Sequence, residues 1–240
     1  MTRLAVQSLI TMLLIYCRFI FWEDAIERIY DNKTAYEQPV LQQLARVHSA
    51  GLISSQLSKT SLLNLVRSRR SIAGITHFNT VEQLETYSEH TMSSVQYLTL
   101  GIAGCSDVNT DHAASHLGKC RGIINAIRST PYLISKNQLL LPQQTLSKHG
   151  VSQTDVVRGR ENVKEAVYDL ASTAKLHLDH TKQLMDKVPK SAKPYFLSIA
   201  LCDLHLENLR KCDFNIFSSP FLRKDNLLPW RLWWANFKYR

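Results

Sequence analysis

The chain has 240 residues, 45% hydrophobic and 20% charged, with a formal net charge of +9. That balance excludes a disordered or polytopic protein and leaves enough chain for one sizeable core. The positive excess suits an anionic partner, but Lys and Arg form no dominant run and no aromatic–basic RNA-binding signature occurs, which sets nucleic acid aside.

Helical periodicity runs through almost the whole chain. A first helix is predicted over 4–31, opening with the apolar stretch LAVQSLITMLLIYC between Arg3 and Arg18. The stretch is short for a transmembrane span, and no small-residue cleavage site follows it, so it reads as a core helix. A second helix covers 38–50 and ends at Gly51, a natural C′ residue; a third covers 54–70. Thr80 and Gln83 form a capping box ahead of a stripe made by Val81, Leu84, Met92, Val95, Leu98 and Ile102. Asp111 starts the next helix, its carboxylate near the positive end of the dipole, and Leu117, Gly118, Cys120, Ile124 and Ile127 recur along it.

Residues 131–160 are less regular. A long helix over 161–188 then buries Val163, Val167, Leu170, Ala174, Thr181, Leu184 and Val188. Pro189 and Pro194 bracket a turn before the last clear core helix, 195–212. With only 8 Gly and 7 Pro, no alternating strand pattern and no repeat, the expectation is one all-α unit. It divides into an apolar N-terminal helix, 1–20, and a helical domain, 21–240, with an aromatic–basic end at 227–240.

The five cysteines are odd in number and form no CxxC pair, so they read as buried free thiols. His112 and His116 stand at i and i+4, a spacing that chelates zinc, and His177 and His180 form a second helical pair. Ala113 occupies the place where a zinc hydrolase carries Glu, and spacing identifies no third ligand, so structural histidines and no metal are expected. Glu82, Glu85 and Glu89, and likewise Glu161, Glu165 and Asp169, have the spacing of ordinary solvated faces. No G-x-S-x-G, P-loop or G-x-G-x-x-G occurs. The C-terminal LLPWRLWWANFKYR interleaves aromatics with basic groups. It either plugs one end of the core or lies in an anionic headgroup layer, with Trp230, Arg231, Trp233, Trp234 and Lys238 as the contacts. The basic balance tips this toward the membrane.

Residues 117–142, LGKCRGIINAIRSTPYLISKNQLLLP, resemble the second motif of the squalene/phytoene synthase family, L-G-x-A-x-Q-x-x-N-x-x-R-D-x-x-x-D followed by a basic loop and Leu-Pro. Leu117, Gly118, Asn125, Arg128, Leu141 and Pro142 match without a gap. Cys120 and Gly122 replace the motif's Ala and Gln, while Ser129 and Leu133 replace its two aspartates. Phe21–Asp31 resembles the family's Trp-containing helix ahead of Pro39-Val40, and Tyr87 and Leu100-Gly101 match its central helix. The likeness covers about residues 21–190.

The resemblance implies the all-α isoprenoid-synthase fold. In the enzymes of that family, magnesium held by two acidic clusters ionises an allylic diphosphate. Here Ser129 and Leu133 stand at the second cluster, and residues 1–20, where the first should lie, contain no Asp or Glu. The family's opening helices are therefore either missing or altered. The likeness is greatest to a branch without either acidic motif, the mitochondrial complex I assembly factors. It implies a non-catalytic protein with no cofactor, partnered by complex I subunits or other assembly factors, peripheral on the matrix side of the inner membrane. Two alternatives stay open: a lipid- or isoprenoid-binding module, with Arg128 and Asn125 as an anion site, and a prenyltransferase with substitute metal ligands. Arg128 is otherwise expected to pair with a carboxylate such as Asp169.

Overall fold

A computed structural model describes residues 3–50, 57–218, 221 and 225–238, with side chains from Met12 to Phe237 within those ranges. Among the described residues there are helices and connecting turns and no strand. Helix α1 spans Arg3–Tyr30, α2 Pro39–Ser49 and α3 Lys59–Ser71. Helix α4, Val81–Ser88, runs through a π-helical turn, Glu89–Ser93, straight into α5, Ser94–Ile102. Helix α6 spans Val108–Ile134 and α9 Val163–Leu184, with the short α7, Gln143–Lys148, and α8, Gln153–Arg158, between them. A 3-10 turn at Lys193–Phe196 leads to α10, Ser198–Lys211; α11, Leu228–Lys238, ends the described chain. The predicted C′ residue Gly51 and the start of the predicted helix 54–70 lie outside the described residues.

The local signals act close to where the residues place them. Thr80 Oγ1 accepts from Gln83 N, but Gln83 Oε1 accepts from Asn79 N, one residue before the cap, so the reciprocal bond is displaced by one position. The helix after it begins earlier than Asp111: Asp107 is the N-cap, accepting from the amides of Asn109 and Thr110, and Asp111 falls in the first turn. Within 131–160 the structure has order that the periodicity did not show. Ser152 and Asp155 form a full capping box, and Gly159 closes α8 in the left-handed conformation at φ 61°.

Helix α6 is the central post, packed against α9, α4 and the π turn, with α10 on a further side. Ala113, Leu117, Ile123 and Ile127 are buried on it, and Val167, Leu170, Ala174 and Leu178 face it from α9. The predicted stripe of α9 is buried apart from Leu184, which is half-buried. The stripe on α4 and α5 needs correction: Val95 and Ile102 are exposed. The π turn inserts an extra residue per turn, which rotates everything after it by about 100°. The buried face therefore passes from Leu84 and Ser88 through Thr91 and Ser94 to Gln96 and Leu100.

Ser and Gly let α6 approach α4 and the π turn closely. A Cβ on Gly118 would lie 2.5 Å from Ser93 N, and one on Gly122 2.3 Å from Ser88 Cβ. The buried hydroxyls are satisfied locally, as Ser88 Oγ donates to Leu84 O and Thr91 Oγ1 to Tyr87 O. Gln96, also buried, donates to Tyr195 O at 2.7 Å and ties α5 to the 3-10 turn.

Helices α1 and α2 form a smaller apolar cluster around Ala25, Ile29 and Leu41. Glu23 and Glu27 on α1 pair with Arg70 and Arg67 on α3 at 2.8 and 2.9 Å. The reading of the apolar stretch 4–17 as a core helix fails where its side chains are described: Met12, Leu13, Leu14 and Tyr16 are 46–65% exposed. Cys120 and Cys202 are buried and their thiols meet between α6 and α10, whereas Cys17 is exposed and Cys105 and Cys212 are half-buried. The expectation of five buried thiols therefore holds for two.

Candidate functional site

The C-terminal end of α6 carries the motif positions. Asn125 and Arg128 are both exposed and lie on one face. Among the described residues Arg128 makes no ion pair. Its expected partner Asp169 is taken by Lys148 at 2.6 Å and His149 at 2.8 Å. What stands beside Arg128 is His205 of α10, a neighbour that sequence spacing could not reveal. Burial, and then the guanidinium charge, push His205 down to about 4. Ser129 Oγ and Thr130 Oγ1 both donate to Ala126 O, so neither hydroxyl is directed at a ligand. Helix α6 continues through Pro131 to Ile134, into the segment expected to be less regular.

The carboxylates weighed as substitute metal ligands are engaged elsewhere. Glu85 and Glu89 are half-buried and bonded, so the solvated-face reading fails for both. Glu85 meets His177 at 3.0 Å; Glu89 accepts from Ser93, Ser115 and Tyr97. Burial and that bond to Glu89 push the Tyr97 phenol well above its ordinary range. On α9, Glu165 and Asp169 share His149, and Glu161 pairs with Lys164. Among the described residues no three His, Cys, Asp or Glu side chains converge on a common metal position.

The two histidine pairs meet across α6 and α9. His116 Nδ1 lies 2.9 Å from His177 Nδ1, and His116 Nε2 lies 3.2 Å from His112 Nε2. The His180 ring stands edge-on to His116, with centroids 5.1 Å apart. His116 is pushed down to about 4 by burial, then by the charges of His177, His112, His180 and Lys119. The sequence showed the two pairs by helical spacing, but their junction and its link to Glu85 depend on how α4, α6 and α9 pack.

At the other end of the chain, α11 touches the protein through Ala235 and leaves Trp230, Trp233, Trp234 and Phe237 between 54 and 70% exposed. The aromatics do not plug the core. They meet edge to face instead, Trp233 against Phe237 with centroids 4.6 Å apart. Arg231 is exposed and pairs with Asp225 at 2.8 Å; the Lys238 side chain lies outside the described residues. Between α10 and α11 runs a groove of about 570 Å³ lined by Leu204, Asn208, Lys211, Trp230 and Trp234. Among the described residues no helix is long and apolar enough to cross a membrane.

Comparison with known proteins agrees with this architecture. The chain is 37% identical over 225 residues to NADH dehydrogenase (ubiquinone) complex I, assembly factor 6, of Rattus norvegicus, covering 93% of this chain and 66% of that protein. The homolog in Drosophila melanogaster is 38% identical over 227 residues, covering 91% and 66%. The chain thus spans just under two thirds of the length of these relatives. Among solved structures, squalene synthase HpnC from Alicyclobacillus acidocaldarius superposes with a TM-score of 0.70 at 19% identity, over 80% of this chain and 72% of that one. That likeness carries the helical fold alone. The family description for squalene/phytoene synthase matches residues 5–234, nearly the whole chain, and the helices match the fold; the chain belongs to the squalene/phytoene synthase family.

Proposed function

We propose that this protein is a non-catalytic assembly factor for mitochondrial respiratory complex I, acting early and at the matrix face of the inner membrane. The observation that carries the reading is the identity of 37–38% over more than nine tenths of the chain to relatives named as complex I assembly factor 6. Catalytic silence is supported by the motif positions. Ser129 and Leu133 stand where the enzymes hold metal-binding aspartates, and Glu85, Glu89, Glu165 and Asp169 are already bonded to protein groups. Several units of diphosphate charge would have no metal clamp, and one arginine cannot offset them.

Contact with an anionic membrane fits the exposed aromatic face of α11 together with the net charge of +9. Trp230, Trp233 and Trp234 supply the interfacial aromatics, and Arg231 and Lys238 the charge. Direct partners are complex I subunits or other assembly factors. The test is loss of the protein in cells, with complex I assembly followed beside the other respiratory complexes. A selective loss of complex I is the expected result; complex I assembly unchanged, or all complexes lost equally, would end the reading.

A specific observation also keeps lipid binding as a second reading. Arg128 is exposed beside Asn125, with no ion pair among the described residues, as an anion site requires. Magnesium-independent binding of a prenyl diphosphate, lost in Arg128→Gln, is its expected signature.

A further inference from the structure

The histidine cluster has no place in the assembly reading, yet the order of its hydrogen bonds has a chemical consequence. The Glu85 carboxylate only accepts, so its 3.0 Å contact makes His177 Nε2 the donor. In neutral His177 the Nδ1 atom is then a lone pair, and the 2.9 Å contact makes His116 Nδ1 the donor. His116 is left presenting its Nε2 lone pair to His112 Nε2, 3.2 Å away. That last gap is closed either by a proton on His112 or by a cation that both lone pairs face.

We propose that His112 and His116 chelate a divalent transition metal, zinc foremost, through their Nε2 atoms, with His177 and Glu85 as outer partners that orient His116. With zinc–nitrogen bonds of about 2.0–2.1 Å, a separation of 3.2 Å subtends about 100° at the metal, close to a tetrahedral angle. A metal-bound imidazole characteristically donates its other ring N–H to an acceptor that fixes the tautomer. His116 does this through His177, whose own N–H ends on Glu85.

The site is reachable as well as oriented, since His112 is exposed and His116 only half-buried. Two protein nitrogens are what the observed rotamers supply, so water completes the shell. The exposed His180, edge-on to His116, can add a third nitrogen by turning its side chain. Lys119 is a nearby cation and lowers the affinity. Imidazole donors select zinc, copper or nickel over magnesium. The site is also remote from the family's diphosphate chemistry: Ser129 lies thirteen residues beyond His116, about 20 Å along the helix.

The experiment uses the chain without an affinity tag. Zinc chloride should raise the melting temperature, titrate at one ion per chain by calorimetry, and be replaceable by cobalt with a visible nitrogen-ligand spectrum. His112→Gln, at an exposed position, should melt like the parent without metal and lose the zinc effect. Glu85→Gln should weaken zinc binding by about ten- to a hundred-fold. No zinc-dependent rise in the parent overturns the proposal, and so does a full rise retained in His112→Gln.

Discussion

Replacing Gly118 by alanine sets two well-measured effects against each other. Helix propensity alone favours alanine by about 1 kcal/mol inside a helix, which would stabilise the protein. The packing opposes it. A Cβ at this position would sit 2.0 Å from Ser93 Oγ, 2.5 Å from Ser93 N and 2.7 Å from Ser93 Cα. The hydroxyl can rotate away, but the two backbone atoms cannot. Relief requires α6 to withdraw from the π turn by about 1 Å, a gap that forfeits a quarter to a half of each dispersion contact across the seam. Overpacking of this kind costs about 1–3 kcal/mol, and backbone-to-backbone crowding places it at the upper end.

The net expectation is about 2 kcal/mol of destabilisation, or a fall of about 4–8 °C in melting temperature for a chain of this size. Differential scanning calorimetry, with urea unfolding as a check, measures it. Gly122→Ala supplies the internal control, because its new Cβ meets the side chain of Ser88, at 1.9 Å from Oγ and 2.3 Å from Cβ. Ser88→Gly should therefore rescue Gly122→Ala and leave Gly118→Ala unrescued. A melting temperature unchanged or raised in Gly118→Ala would refute the close-packed seam.

Arg128→Gln should leave the melting temperature within about 2 °C of the parent, because the residue is exposed and pairs with no carboxylate among the described residues; a large fall would restore the structural role. His205 is held neutral in the fold, down to about 4 against 6.5 when unfolded. The unfolded chain thus binds the extra proton first, and this residue's contribution to stability is lost as the pH falls from 6.5 towards 4. Urea unfolding across that window should show a flatter slope in His205→Gln, and an identical slope would contradict the assignment. Replacing Trp230 and Trp234 together by serine should leave folding intact, since both are about 70% exposed, and reduce binding to cardiolipin-containing vesicles. Added salt should weaken what remains through screening, and vesicle binding that ignores both changes would remove α11 from the membrane.

The helices themselves were legible because their signals are local. Thr80 caps the amide of Gln83, and the apolar period of Val163, Val167, Leu170 and Ala174 identifies a buried face without reference to anything else, whereas the caps Asp107 and Ser152 did not stand out from the residues around them. The family motif was legible for the same reason, as residues 117–142 keep their order and spacing whatever surrounds them. Periodicity failed at Val95 and Ile102, since it assumes one helical repeat throughout, and the π turn at Glu89–Ser93 breaks that repeat. Helix α6 likewise runs on through Pro131 to Ile134, into the segment expected to be less regular.

By itself the sequence determined the helical class, the family, Ser and Leu at positions 129 and 133, and the two histidine pairs, because each follows from residues near one another along the chain. Only the tertiary structure decided which groups face each other. It set Arg128 beside His205 and not Asp169, joined His116 to His177 and Glu85, and left the tryptophans of α11 on the surface. Those outcomes depend on how α4, α9, α10 and α11 lie around α6, and that packing is a balance of long-range contacts that no local spacing encodes.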